Sequence, residues 1–202
     1  MTRKLAWMAM TLSALLIAAY AAGTLVAPAL RTPFLRNLFD TMPNAISLHI
    51  ASGIIAIVVG AFQVNSRLRI RFLAAHRWLG RLYLAAIFVG GFAGLYLAFE
   101  SFGGLVTHFG FGLMAVCWLG TTFAAYLAIR QRDIIAHRAW MLRSYALTLA
   151  ALTLRIYLPL SQIAGIGFEP AYQAISWLCW VPNLLIVEWF ILSRRSQVTD
   201  AA

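Results

Sequence analysis

The chain reads as an all-α bundle of six membrane-spanning helices, with a four-helix core made of two repeated helical hairpins. Three observations predict this. Of 202 residues, 62% are hydrophobic and only 11% charged, whereas soluble domains run near half and a quarter; the mean hydropathy is +0.82. Six stretches reach the roughly 20 mainly apolar residues that a bilayer core requires. The only four histidines, His49, His76, His108 and His137, each lie near one end of a different apolar stretch.

The spans follow in order within a single integral membrane domain, 1–202. The first runs about Leu5–Ala27. Arg3 and Lys4 before it and small residues at its end resemble a signal peptide, but its length favours an uncleaved anchor. Residues 1–44 thus comprise an anchor helix and an outer loop. The next four spans, about Ala45–Val64, Trp78–Phe99, Leu105–Ile129 and Trp140–Ala164, make the duplicated core over 45–164. Residues 165–202 hold the last span, about Tyr172–Ser193, and a tail. The first and last spans are expected at the periphery. Pro182 and Asn183 predict a local break in the last span, the amide satisfying freed backbone groups. Period-2 alternation is absent, which excludes a β-barrel.

Charge sets the orientation. The net charge is +10, but the basic residues flank apolar runs, so topology and anionic lipid explain them and nucleic acid does not. Arg67, Arg69, Arg71 and Arg77 crowd one loop; Arg130, Arg132 and Arg138 crowd another. Arg3 and Lys4 open the chain, and Arg194 and Arg195 follow the last span. Six spans place all four groups on one side. By the positive-inside rule that side is cytoplasmic, with both termini, in a plasma (inner) membrane. Cys117 and Cys179 sit in apolar runs, match no zinc or CxxC spacing, and read as packing residues. Trp140, Trp177, Trp180 and Trp189 read as interface and packing residues.

The histidine surroundings repeat. His49-Ile-Ala-Ser-Gly-Ile-Ile-Ala and His108-Phe-Gly-Phe-Gly-Leu-Met-Ala both fit H-x-x-x-G-x-x-A. His76-Arg-Trp-Leu-Gly-Arg-Leu-Tyr and His137-Arg-Ala-Trp-Met-Leu-Arg-Ser-Tyr share Trp, Arg and Tyr in the same order. His49 and His108 start their spans at the outer surface; His76 and His137 precede theirs at the inner. About 15 residues separate the two depths on the second span, roughly 20 Å at the helical rise. Gly53, Ala56 and Gly60 line the His49 face; Gly112, Ala115 and Leu119 line the His108 face; Gly80 and Tyr83 follow His76. Met141 breaks the pattern after His137. Small residues admit a flat macrocycle between helices and equally serve ordinary helix packing. Two facing imidazoles supply both axial ligands of a haem iron, an arrangement suited to electron transfer. The pairing of ends predicts His49 with His108 and His76 with His137, as metal ligands of two haems b. The other reading of these histidines is interfacial, serving topology or proton contacts.

From His49 through Glu188 the chain resembles a family of predicted bacterial membrane proteins, domain of unknown function 2306. His76-Arg-Trp-Leu-Gly-Arg-Leu-Tyr, His137-Arg-Ala-Trp-Met-Leu-Arg-Ser-Tyr and Trp177-Leu-Cys-Trp-Val-Pro-Asn-Leu carry the likeness. That family name implies no activity. The arrangement is also similar to cytochrome b-561 type di-haem proteins, in which four central helices each carry one axial histidine. That likeness implies a transmembrane electron-transfer oxidoreductase with His49/His108 at an outer haem and His76/His137 at an inner one. It does not extend to an ascorbate site. The electron donor would be a quinol or a small reductant, and a homodimer is compatible with such a bundle.

Arg155 lies inside the fifth span, where a charge needs a partner or a watery cavity. It suits an outer propionate or a structural pairing. Arg81 and Arg143, within two turns of the inner histidines, suit inner propionates or simply set orientation. Glu188 stands near them as a neutralising partner. An alternative function follows: a haem-free transporter or lipid/quinone-binding protein using Arg155 and Glu188.

Overall fold

The computed structural model describes residues 2–199, with side chains over 4–193. Arg3, Arg194 and Arg195 of the charge argument lie outside the described side chains. Ten α-helices and one 3-10 turn are formed, and no strand occurs among the described residues: α1 Thr2–Val26, the turn Pro28–Leu30, α2 Pro33–Thr41, α3 Pro43–Gln63, α4 Ser66–Arg71, α5 Leu73–Phe99, α6 Leu105–Arg130, α7 Ile134–Thr148, α8 Ala150–Ile163, α9 Phe168–Leu178 and α10 Val181–Thr199. Within them lie six helical stretches long and apolar enough to cross a membrane, Lys4–Val26, Pro43–Gln63, Leu73–Phe99, Leu105–Arg130, Ile134–Ile163 and Phe168–Ser193. The all-α, six-span expectation holds.

Local chemistry explains the boundaries. Pro33 and Pro43 stand in the first turns of α2 and α3, where a missing N–H costs nothing. Thr32 caps α2 by accepting from Leu35 N at 3.2 Å. Asn65 caps α4 by accepting from Arg67 N at 3.0 Å and Leu68 N at 3.3 Å. Asp133 caps α7 by accepting from Ala136 N at 2.9 Å. Gly103 and Gly104 make the turn into α6 at φ of 97° and 71°, a conformation open to glycine at little cost.

Several boundaries differ from the sequence expectation, while the break near Pro182 follows it. Helix α5 begins at Leu73 and α7 at Ile134, several residues before Trp78 and Trp140, because no Gly or Pro interrupts either run. His76 and His137 therefore sit within their helices, not ahead of them. The loop before α3 is largely helical, and the arginine-rich loop after α3 contains α4. The fifth span is two helices meeting at Leu149, and the sixth is two meeting around Cys179 and Trp180. At the second junction Pro182 has no N–H to donate. Asn183 Nδ2 bonds the Cys179 carbonyl at 3.0 Å, as expected of that amide, and Thr153 Oγ1 donates to the same carbonyl.

Helix α5 packs against both α3 and α6, α6 packs on α7, and α1 packs along α3. The first span is less peripheral than expected, since Ala14 and Ala18 of α1 are buried in the main core. So are Ile175, Cys179 and Trp180 of the last span. Gly60 lets the Tyr145 ring lie directly on α3, and Tyr145 Oη donates to the Ile57 carbonyl at 3.1 Å.

The middle of the bundle is held by a buried polar cluster. Tyr83 is fully buried, and its hydroxyl lies 3.0 Å from both Ser144 Oγ and Thr148 Oγ1. Trp118 Nε1 donates to Thr148 Oγ1 at 2.9 Å, and Thr122 Oγ1 lies 2.7 Å from Ser144 Oγ. These groups join α5, α6 and α7, and each finds a partner, as polar groups in a membrane interior must. At one end a second set of contacts is aromatic: Phe34 of α2, Phe102, and Phe168 and Tyr172 of α9, with ring centroids 5.2–5.9 Å apart.

Candidate functional site

His49 lies two turns into α3 and faces α5. Its Nδ1 is 2.9 Å from the Gly90 carbonyl. A carbonyl only accepts, so Nδ1 carries the proton and Nε2 is the other ring nitrogen. A Cβ on Gly94 would stand 2.9 Å from His49 Cε1, so the ring is seated where α5 has no side chain. Gly90 and Gly94 form a small-xxx-small pair of the kind that brings membrane helices close.

His49 also borders a cavity of about 60 Å³ between α1, α3 and α8, whose walls include Ala18, Ala21, Gly53 and Ile57. No atom would meet a Cβ at Gly53 within 4 Å, so this part of the small-residue stripe borders open space. Ala56 and Gly60 do not, being packed into protein. Arg155 enters the same cavity from α8 and is near enough to act on His49 electrostatically. Its Nη1 donates to the Ala151 carbonyl at 2.9 Å, and its guanidinium stands 5.8 Å from the Tyr20 ring. Among the described residues no carboxylate pairs with it; the ion pair present is Arg143–Glu188. A charge this deep in a span is expensive and marks a place where an external group or water meets it.

His108 takes another course. Its Nε2 lies 2.9 Å from the Ser101 carbonyl, in the loop just before its own helix. His49 and His108 thus have separate backbone partners and no hydrogen bond to each other. At the opposite end, His76 and His137 lie near each other. His137 Nδ1 lies 2.8 Å from the Ala125 carbonyl, and Gln63 Nε2 donates to the His76 carbonyl at 2.8 Å.

The nearby cations have partners. Arg143 makes a two-pronged ion pair with Glu188, with Nε on Oε1 and Nη2 on Oε2 at 2.8 Å. It also stands 4.5 Å from the Trp140 ring. Arg81 is exposed and stacks 4.7 Å from the Trp78 ring. Glu188 therefore neutralises Arg143 rather than Arg81.

A haem requires its two nitrogens to face a space that holds the macrocycle, and cofactor pockets run to roughly 300–1,000 Å³. The cavity at His49 falls far short of that, and His108 does not line it. His76 and His137 lie near each other at the opposite end. The His137 Nδ1 contact to the Ala125 carbonyl, like that of His49 to Gly90, leaves Nε2 as the other ring nitrogen, as in many ligating histidines. Among the described residues no three His, Cys, Asp or Glu side chains gather as a metal site.

Sequence reasoning joined His49 and Arg155 only through an outer haem, as ligand and propionate partner, and did not foresee a shared cavity. It missed Gly90, Gly94 and Gln63. The glycine spacing was available as a signal; nothing local marks Gln63.

No curated protein and no solved structure matches the chain. A family model described as "Predicted membrane protein (DUF2306)" matches residues 46–191, from early in α3 through the Arg143–Glu188 pair. The chain is a multi-pass membrane protein and belongs to that family.

Proposed function

We propose that the protein binds a lipid-soluble molecule of the quinone or fatty-acid class by its oxygen head, at His49 and Arg155. The observation that carries this is the guanidinium with no carboxylate partner among the described residues, inside the bilayer span and beside a histidine in one small cavity. Arginine offers five N–H donors, of which one is on Ala151. The head that fits is therefore an acceptor, a quinone carbonyl or a carboxylate, and 60 Å³ suits a head and not a ring system with its tail. The apolar wall of Ala and Ile receives the adjoining carbons. This keeps Arg155 from the haem-free alternative and releases Glu188, which holds Arg143.

The test is titration of the purified protein in detergent with a short-tailed quinone and with a medium-chain fatty acid, followed by tryptophan fluorescence. One of the two is expected to bind, with affinity falling roughly ten- to hundredfold in Arg155→Gln, the range of a hydrogen bond to a charged group. Binding of neither, or equal binding by the variant, overturns the reading.

A second reading rests on the inner histidines: a b-type membrane cytochrome with haem at His76 and His137. Bound there, the iron would supply one-electron transfer. His76 and His137 would hold it, and Ala125 would fix the His137 ring through its carbonyl. Reduced and oxidised visible spectra with a pyridine haemochrome count decide it. About one haem per chain, lost in His137→Gln but kept in His108→Gln, is the expected result. Two haems per chain would instead restore the outer pair, His49 and His108, as ligands. A protein colourless after expression with haem precursor would end both forms of the cytochrome reading.

A further inference from the structure

The polar part of the cavity between α1, α3 and α8 is made by His49 and Arg155; the rest of its wall is Ile, Ala and Gly. The imidazole is turned so that Nδ1 gives its proton to the Gly90 carbonyl. A Cβ on Gly94 would stand 2.9 Å from both Nδ1 and Cε1, so that edge of the ring is seated on α5. The edge left for the cavity carries Nε2. This nitrogen makes no hydrogen bond among the described residues, and protein atoms do not seal it.

The two groups ask for opposite partners. Guanidinium only donates, and Arg155 places Nη1 on the Ala151 carbonyl, with its other N–H groups left to give. A second proton on His49 would set a positive charge beside that guanidinium, with no carboxylate paired to either among the described residues, which is costly inside a span. The neutral ring with its proton on Nδ1 holds a lone pair at Nε2, which only accepts. A head that only accepts, a quinone carbonyl or a carboxylate, satisfies Arg155 but sets lone pair against lone pair at His49. The nitrogen is then desolvated without a partner.

Resting on the head-binding reading of this cavity, we infer that the ligand's head carries an O–H as well as an acceptor oxygen. The O–H goes to His49 Nε2 and the acceptor to Arg155. A fatty acid in its acid form has both oxygens on one carbon, which suits a cavity of about 60 Å³. A quinol offers the same two functions on one hydroxyl. His49 is thus the residue that selects the donor-bearing head over its acceptor-only counterpart.

Isothermal titration calorimetry of the full chain in detergent tests this with heads of one shape. Decanoic acid and decanamide carry a donor beside the carbonyl, where methyl nonyl ketone has a methyl group. Decanamide does not ionise, so its comparison with the ketone is independent of pH. Decanamide is expected to bind roughly tenfold or more tightly than the ketone, the scale of leaving a buried acceptor unmet. A short-tailed quinol and its quinone form the second pair. Preference for decanoic acid and decanamide assigns the O–H to a fatty acid, and preference for the quinol alone assigns it to a quinol; either supports the inference. In His49→Phe, which keeps a ring on Gly94 and removes both nitrogens, the members of a pair should bind alike. In Arg155→Gln both should weaken. An acceptor-only member bound by the wild type as tightly as its donor-bearing partner, with both weakened in Arg155→Gln, overturns the O–H at His49 and leaves the head-binding reading standing. Discrimination that persists in His49→Phe also overturns it. Binding of none of these compounds overturns the head-binding reading itself. Should His49→Phe fail to fold by circular dichroism, the wild-type preference within each pair decides alone.

Discussion

Tyr83→Ala is expected to lower stability in detergent by about 3–5 kcal/mol, the range for removing a buried aromatic ring. Tyr83 is fully buried, lies beside Gly60, and bonds hydroxyls on α7. Truncation leaves a cavity between α3, α5 and α7 and removes a partner from Ser144 and Thr148 together. Tyr83→Phe keeps the ring and removes only the hydroxyl, so it should cost about 1–2 kcal/mol. Unfolding in detergent by tryptophan fluorescence measures both. If the two variants are equally stable, packing at this point contributes little, and the polar cluster alone holds the middle of the bundle.

The second large effect belongs to Arg143 and Glu188. Glu188→Ala is expected to cost about 2–3 kcal/mol, below the range for a fully buried pair. The discount reflects side-chain exposures of 16% for Arg143 and 33% for Glu188. The loss arises mainly from leaving Arg143 unpaired near the membrane interior. Arg143→Met/Glu188→Leu, which removes both charges and keeps volume, should regain most of the stability. A double variant as unstable as Glu188→Ala would mean that Glu188 acts through something other than this pair. Helix α10 is joined to α7 here, so the same loss should appear as earlier proteolysis of the last span.

The residues differ in how much of this was readable from the chain. Hydropathy is a property of consecutive side chains, so the six spans were legible to within a few residues at most ends. The starts of α5 and α7 were not. Their first turns carry His-Arg pairs that lower local hydropathy while leaving the backbone free to stay helical. The break near Pro182 was legible because a missing N–H is a local fact. So was the partnership of Glu188 with an arginine at the same depth, though the choice of Arg143 over Arg81 was not. Arg81 turned outward to Trp78, a one-turn neighbour on its own helix, which competes with any partner across the bundle.

The candidate site divides in the same way. The sequence by itself determined that this is a six-span all-helical membrane protein, with one arginine deep in the fifth span. These follow from the cost of exposing polar groups to hydrocarbon, which is paid residue by residue. Only the tertiary structure decided which ring faces which neighbour. His49 meets the α5 backbone because Gly90 and Gly94 bring that helix close, and it shares a cavity with Arg155 because α1 and α8 close around it. His108 meets the Ser101 carbonyl of its own loop instead. Ring orientation depends on helix rotation and on the carbonyls within reach of a nitrogen, and these are set by packing between segments far apart in the chain.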